Sequence, residues 1–327
     1  MFRHQIMDSD LARGLITELH DCQIEISLID TSDFPVVSEL DLKSNRCVMT
    51  YKYLQFAERI RNLTVYEDDV WIVTFPKCGT TWTQEMVWLI DHNLDYEAAG
   101  EVDLIHRSVF LEASAVIKNH PEDTVEVVEN HERPRHIKSH LPLAMLPKQL
   151  WSVRPKIVYC ARNPNDVAVS YMHHYRHLHG YTGTNEMFLE GLLADQVLWC
   201  PQVQHTLDFW NIRHLDNLLF NHFEEMKKDM MSVLKRTSKF FGKTYTDSQL
   251  TKLAEHLSFD TMKKNPTANH TTLLKTLEEI RNKKIEFQFM RKGQVGSHKE
   301  ELTPEYTQRL REHVHEQLAG TGFRYIE

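Results

Sequence analysis

Apolar positions along this chain fall into two patterns that alternate. Short unbroken runs rich in β-branched and aromatic residues, at 70–75 (V-W-I-V-T-F) and 156–161 (K-I-V-Y-C-A), read as buried strands. Residues 135–139 form a shorter strand candidate, and 217–223 another. Apolar residues recurring every three or four positions predict helices at 81–90, from Asn163 onward, near 226–241, at 248–257 and at 304–318. The Asn163 start has the residues a helix entry calls for: asparagine at the N-cap, Pro164 in the first turn, Asp166 three residues after the cap. Strands alternating with helices imply an α/β protein, a single domain with a central parallel, doubly wound sheet flanked by helices. The first 50 or so residues are weakly periodic. Residues 1–34 read as an N-terminal extension packed on a domain that spans 35–327. There is no internal repeat, low-complexity tract or obvious linker.

Composition narrows the class of partner. A chain of 327 residues, 41% hydrophobic and 26% charged, is ordinary for one large α/β domain. No run of 18 apolar residues predicts a membrane span, and the opening M-F-R-H-Q-I-M-D-S-D has no apolar core of a secretory signal. Cys22, Cys47, Cys78, Cys160 and Cys200 are odd in number and form no Cys-x-x-Cys pair, so free thiols in a reducing, cytoplasmic compartment are expected. A formal net charge of −8 argues against general binding of nucleic acid or of an acidic membrane. An anionic small ligand remains open, provided basic residues gather locally.

Four segments gather them. After the first strand, Lys77-Cys78-Gly79-Thr80-Thr81 makes a tight, P-loop-like turn into a helix, and Trp82 offers an aromatic face. Converging amides, a helix N-terminus and a lysine together suit a phosphate or a close relative. The spacer of a full Walker A motif is missing, and alone the segment also fits a structural corner with an exposed lysine. In the second segment, R-H-I-K-S-H, Lys138 and His140 are two apart and share a strand face. Histidine is suited to accept a proton near neutral pH, and a neighbouring lysine to stabilise charge on a transferring group. The third repeats the strand-to-helix layout, with Arg162 at the strand end and Ser170 four residues beyond Asp166. The fourth sets Arg291 and Lys292 beside Gly293 and Gly296. Taken singly, the second and fourth read better as ordinary structure, a polar strand end and a solvated turn, and the third reads equally well as a capped helix with a structural arginine. His173 and His177 have the i, i+4 spacing of a metal pair, but no neighbouring carboxylate or cysteine completes a set, so a polar helix face or pocket lining is the better reading.

The order and content of these segments together resemble the cytosolic sulfotransferase family, from about residue 35 to the C-terminus. Lys77 to Trp82 look like that family's 5′-phosphosulfate loop, Lys138-Ser139-His140 its catalytic segment, and Arg162 through Ser170 its 3′-phosphate motif. Ser258-Phe259, residues 262–266 and Arg291-Lys292-Gly293 match later nucleotide contacts. Residues 83–99 look most like arthropod members, among them a retinol dehydratase that works through a sulfated intermediate. The resemblance implies 3′-phosphoadenosine 5′-phosphosulfate (PAPS) as donor, 3′-phosphoadenosine 5′-phosphate (PAP) as product, no required metal, and a hydroxyl or amine acceptor. It implies Lys77 and the amides of Cys78, Gly79, Thr80 and Thr81 at the leaving oxygen, His140 as general base, and Lys138 on the phosphosulfate. Arg162, Ser170, Arg291 and Gly293 would hold the 3′-phosphate, with Lys292 among the nucleotide contacts, and Trp82 and Phe259 would sandwich the adenine. Phe110, His140 and His174 would line the acceptor pocket, which suits a phenol, steroid or retinoid. A kinase using ATP and a silent binder of PAP or a hydrophobic ligand are the other readings.

Several positions depart from the family pattern. Phe223 stands for a usual tyrosine and Leu257 for a threonine, which removes polar contacts near the adenine. Ser297-His298 replaces Asp-Trp. The C-terminal dimerisation pattern survives only as Lys299 and Thr303, with Pro304 and Gln308 departing from it, so the resemblance gives no oligomeric state. Cys78 replaces a common serine, and a thiol beside a lysine at a helix N-terminus is expected to have a lowered pKa.

Overall fold

The computed structural model describes residues 2–20, 22–28 and 46–327. The boundary expected between residues 34 and 35 lies outside the described residues. The N-terminal part forms an antiparallel sheet of β1 (Phe2–Ile6), β2 (Gln23–Leu28) and β3 (Arg46–Thr50), in the order β1-β2-β3. Along β2, Ile24, Ile26 and Leu28 alternate with Glu25 and Ser27 and are fully buried.

The central sheet contains β4 (Val70–Val73), β5 (Val109–Phe110), β6 (His136–Ser139), β7 (Lys156–Ala161) and β8 (Leu218–His222), in the order β5-β6-β4-β7-β8. Every neighbouring pair is parallel. The unbroken apolar runs of β4 and β7 have a physical reason: both faces are covered, and each run divides between two cores. Val70, Ile72, Val158 and Cys160 belong to one hydrophobic cluster; Trp71, Val73, Ile157 and Tyr159 belong to the other. That second cluster also takes in Leu15, Leu19 and the inward residues of β2. At about 1.5–3 kcal/mol per buried large apolar side chain, the N-terminal residues hold firmly to the sheet.

Helix α1 (Thr80–Asp91) follows β4 and helix α2 (Pro164–His177) follows β7. The helix expected near 226–241 is instead two, α3 (Phe223–Lys228) and α4 (Met230–Phe240). Asp229 breaks the run with a non-helical backbone (φ −147°, ψ 75°) and caps the second helix, accepting a hydrogen bond from the Ser232 amide at 3.0 Å. Chain connections leave β4 toward β5 and β6, and leave β7 toward β8, so the carboxyl ends of β4 and β7 flank the point where the strand order reverses. Open α/β sheets bind ligands there, and Lys77 and Arg162 follow these two strand ends. Among the described residues no helix is long and apolar enough to cross a membrane.

Candidate active site

The turn after β4 is built to leave donors free. Gly79, at the N-cap of α1, has φ +93°, and a Cβ there would lie 2.8 Å from the Phe223 ring. No side chain caps the helix. The amides of residues 79–82 have no partner among the described residues, so N–H groups and helix dipole point the same way. The Lys77 Nζ lies 3.4 Å from Nδ1 of His174 and 4.2 Å from the centre of the Phe289 ring. Burial lowers its pKa to about 7, and the charges of Lys138, Arg162 and Arg291 push the same way.

Past the end of β6, His140 has one ring nitrogen committed. Its Nδ1 lies 2.8 Å from the Thr74 carbonyl, which can only accept, so Nδ1 carries the proton and Nε2 keeps its lone pair. Burial and the charge of Lys138 hold its pKa well below the ordinary histidine value. The ring is therefore a neutral base near pH 7. Glu112 anchors the segment: its carboxylate accepts from the His140 amide at 2.6 Å and from the Ser139 hydroxyl at 2.9 Å. His205 Nε2 donates to the His140 carbonyl at 3.0 Å. Lys138 Nζ lies 3.9 Å from the centre of the Phe110 ring, and burial lowers its pKa to about 8.

The turn after β7 is tied rather than open. Asn163 Oδ1 caps α2 by accepting from the Asn165 amide at 3.0 Å, and Pro164 has no N–H to offer. Arg162 donates to the carbonyls of Lys77 (3.0 Å) and Gln294 (3.1 Å) and lies over the Phe223 ring. Its Nε is buried without a partner among the described residues. Asp166 accepts from the amides of Gly296 and His298 and from His298 Nδ1, fastening the loop that carries Arg291, Lys292 and Gly293. Gly293 has φ +59°, and a Cβ there would meet the Phe259 ring at 2.3 Å.

One cleft joins these parts. Lys77, Gly79, Thr80, Thr81, Trp82, Arg162, Ser170, Phe259, Arg291, Lys292 and Gly293 line it, as do Lys138, His140, Phe110 and His174. Cys78 departs from the expectation. Its side chain is 1% exposed beneath the turn and is not on the cleft wall; Sγ lies 3.8 Å from the Pro76 carbonyl, and its amide bonds to Phe75. Its pKa is raised, not lowered, because burial disfavours the thiolate and Cys160 adds to the effect. His173 and His177 stack on one another at 6.1 Å, and each has a further partner: His173, on the cleft wall, bonds through Nε2 to Glu301, while His177 stacks on Phe287 at 4.8 Å. Sequence reasoning missed Thr74, Glu112, His205 and Glu301, which bear on the site through long-range contacts. It also missed the largely apolar stretch of the cleft wall formed by Leu19, Val116, Ile117, Leu178, Trp199, Leu277 and Phe287. For Leu19 the available signal was the apolar alternation of Ile24, Ile26 and Leu28 nearby, in an otherwise weakly periodic stretch.

A parallel sheet with two cation-bearing strand-to-helix turns beside a histidine base defines a nucleotide-dependent group transferase. Residues 67–322 match the family model described as a sulfotransferase domain. The chain is 33% identical over 288 residues to luciferin sulfotransferase of Photinus pyralis, covering 83% of this chain and 77% of that protein. It is 34% identical over 275 residues to sulfotransferase 1A1 of Bos taurus, covering 83% and 91%. The crystal structure of retinol dehydratase in a complex with retinol and PAP superposes with a TM-score of 0.80 at 25% identity, over 99% of both chains. The protein belongs to the sulfotransferase family, and its reaction is PAPS-dependent transfer of a sulfuryl group. The chemistry of the donors fits that nucleotide: loop amides and a buried Arg162 Nε, none with a partner among the described residues, suit phosphate oxygens, and Trp82 and Phe259 offer ring faces for a base.

Proposed function

We propose that this enzyme sulfates a hydroxyl of a small apolar molecule by in-line displacement, with His140 as general base. The observation that carries the reading is the Nδ1–H bond of His140 to Thr74, which leaves Nε2 as a proton acceptor on a cleft with lysines beside it and apolar walls beyond. His140 Nε2 takes the acceptor's O–H proton as the new S–O bond forms, and the S–O bond to the 5′-phosphate breaks. Lys77 and the amides of Gly79, Thr80 and Thr81, in a P-loop-like turn, meet the charge that builds on the leaving oxygen. Lys138 holds the sulfuryl oxygens. Arg162, Ser170, Arg291, Lys292 and Gly293 hold the 3′-phosphate, and Trp82 and Phe259 flank the adenine. The products are the sulfate ester and PAP.

Phe110, His174, Leu19, Val116, Ile117 and Trp199 give the acceptor side its apolar character, which favours phenols, steroids or retinoids. Five free cysteines, four of them buried, favour work in the reducing cytoplasm. The test is a screen with radiolabelled PAPS over phenols, steroids and retinoids, run beside His140→Ala. Label is expected in at least one sulfate ester. His140→Ala is expected to lower kcat by about 10³-fold while PAP affinity stays within about twofold. Silence across the panel by a protein that still binds PAP would overturn the transferase reading in favour of a silent binder. The likeness to retinol dehydratase along the whole chain favours one second reading, elimination of a sulfated intermediate; an anhydro product in place of the ester would reveal it.

A further inference from the structure

We propose that Glu301 is an internal counter-anion of the nucleotide cleft, setting nucleotide affinity by competing with the 3′-phosphate for Arg291, Lys292 and His173. The proposal rests on the assignment of Arg291 and Lys292 to the 3′-phosphate made above. Glu301 follows the short turn Ser297–Glu300, whose entry is fastened to Asp166 through the Gly296 and His298 amides. Its backbone position is thereby tied to α2. Its carboxylate is bonded on both oxygens: Oε1 accepts from Arg291 and, at 3.0 Å, from Lys292, which it shares with Glu300 Oε2 at 2.7 Å; Oε2 accepts from His173 Nε2. All three donors line the cleft, in company with Ser170, Arg162 and Gly293. Burial pushes the Glu301 carboxyl up, but the hydrogen bonds from His173, Lys292 and Arg291 outweigh it and hold the pKa at about 2. The group is an anion throughout the working pH range.

A carboxylate and a phosphate oxygen pair take the same guanidinium and ammonium donors. A 3′-phosphate that reaches Arg291 and Lys292 therefore either exchanges with Glu301 or sits beside its charge. Both routes weaken binding of the nucleotides that carry a 3′-phosphate, and both hasten release of PAP. Glu301 is a positioning residue: it holds the donors in place and takes no part in the chemistry.

The test compares PAP with 5′-AMP, which lacks the 3′-phosphate, by calorimetry on the full chain. Glu301→Gln keeps the shape and removes the charge. It is expected to tighten PAP about tenfold, the scale of one charge-assisted hydrogen bond, to slow PAP dissociation, and to leave 5′-AMP unchanged. In turnover, KM for PAPS and kcat are expected to fall together once PAP release limits. Glu301→Asp is expected to stay near the native PAP affinity. Unchanged or weaker PAP binding by Glu301→Gln, or equal tightening of 5′-AMP, overturns the proposal. Arg291→Ala separates the two layers. If it leaves the preference for PAP over 5′-AMP intact, the assignment of Arg291 is what fails; if it abolishes that preference while Glu301→Gln has no effect, the role of Glu301 is what fails.

Discussion

The turns after β4 and β7 begin from the same plan, a buried strand ending at a cation and feeding a helix, and they finish in opposite states. At Gly79 the helix entry has a left-handed backbone, no side-chain cap and four amides with no partner among the described residues. At Asn163 the cap is a side chain, Pro164 removes one donor, and Asp166 is engaged with the loop at 296–298. The first turn keeps its backbone available for a ligand. The second uses its backbone and its acid to hold the protein together, and leaves the side chains of Arg162 and Ser170 facing the cleft. A helix N-terminus is thus an anion site only where the fold has not already satisfied it.

The largest expected separation between the turns is in turnover. Lys77→Ala is expected to lower kcat by about 10²–10³-fold, the loss seen when one donor to a developing charge is removed, while Asn163→Ala changes kcat less than about twofold. Comparable losses in steady-state assays of both variants would break the contrast. Next comes Gly79→Ala, which closes the open turn: a Cβ must displace the Phe223 ring and adopt φ +93°. An unfavourable left-handed residue costs about 1–2 kcal/mol, so a lower melting temperature and roughly tenfold weaker PAP binding are expected in thermal and calorimetric titrations.

The third expectation concerns protons. The Lys77 pKa of about 7 rises when a phosphate-bearing ligand supplies an opposite charge. PAP affinity is then full below pH 7 and is lost, by up to about tenfold per unit, as pH climbs toward the bound-state pKa. Calorimetry at pH 8 in buffers of different ionisation enthalpy should register proton uptake, and Lys77→Met should abolish that component. Uptake that persists in Lys77→Met would assign the proton elsewhere. The smallest effect belongs to the second turn. Asn163→Ala is expected to cost about 1 kcal/mol of stability in denaturant unfolding, with PAP affinity within about twofold; a larger loss of affinity would mean that this cap serves the ligand as well.

Much of the frame was legible because its grammar is local. Unbroken apolar runs announced β4 and β7, since a strand covered on both faces has no polar side to show. Asn163 and Pro164 announced α2, and Lys77, Lys138, His140, Arg162 and Arg291 stood out by residue type. The misreadings arose where a side chain's surroundings come from distant chain. Glu301 lies 128 positions from His173, and Glu112 lies 28 from His140. The break at Asp229 was hidden because its flanks are both helical, and a single capping aspartate is a small signal within a long periodic run.

The amino-acid sequence by itself determined the alternation of strands and helices, the two strand-to-helix turns and which residues could carry charge or accept a proton. Those depend on spacing and on side-chain chemistry, which travel with the chain. Tertiary structure alone decided the state of each group: a neutral His140 with its lone pair free, a Lys77 near neutrality, a Cys78 turned inward with its thiol protonated, and a Glu301 seated among the cations of the nucleotide cleft. Desolvation and hydrogen bonding are set by everything packed around an atom, and only the folded chain brings those neighbours together.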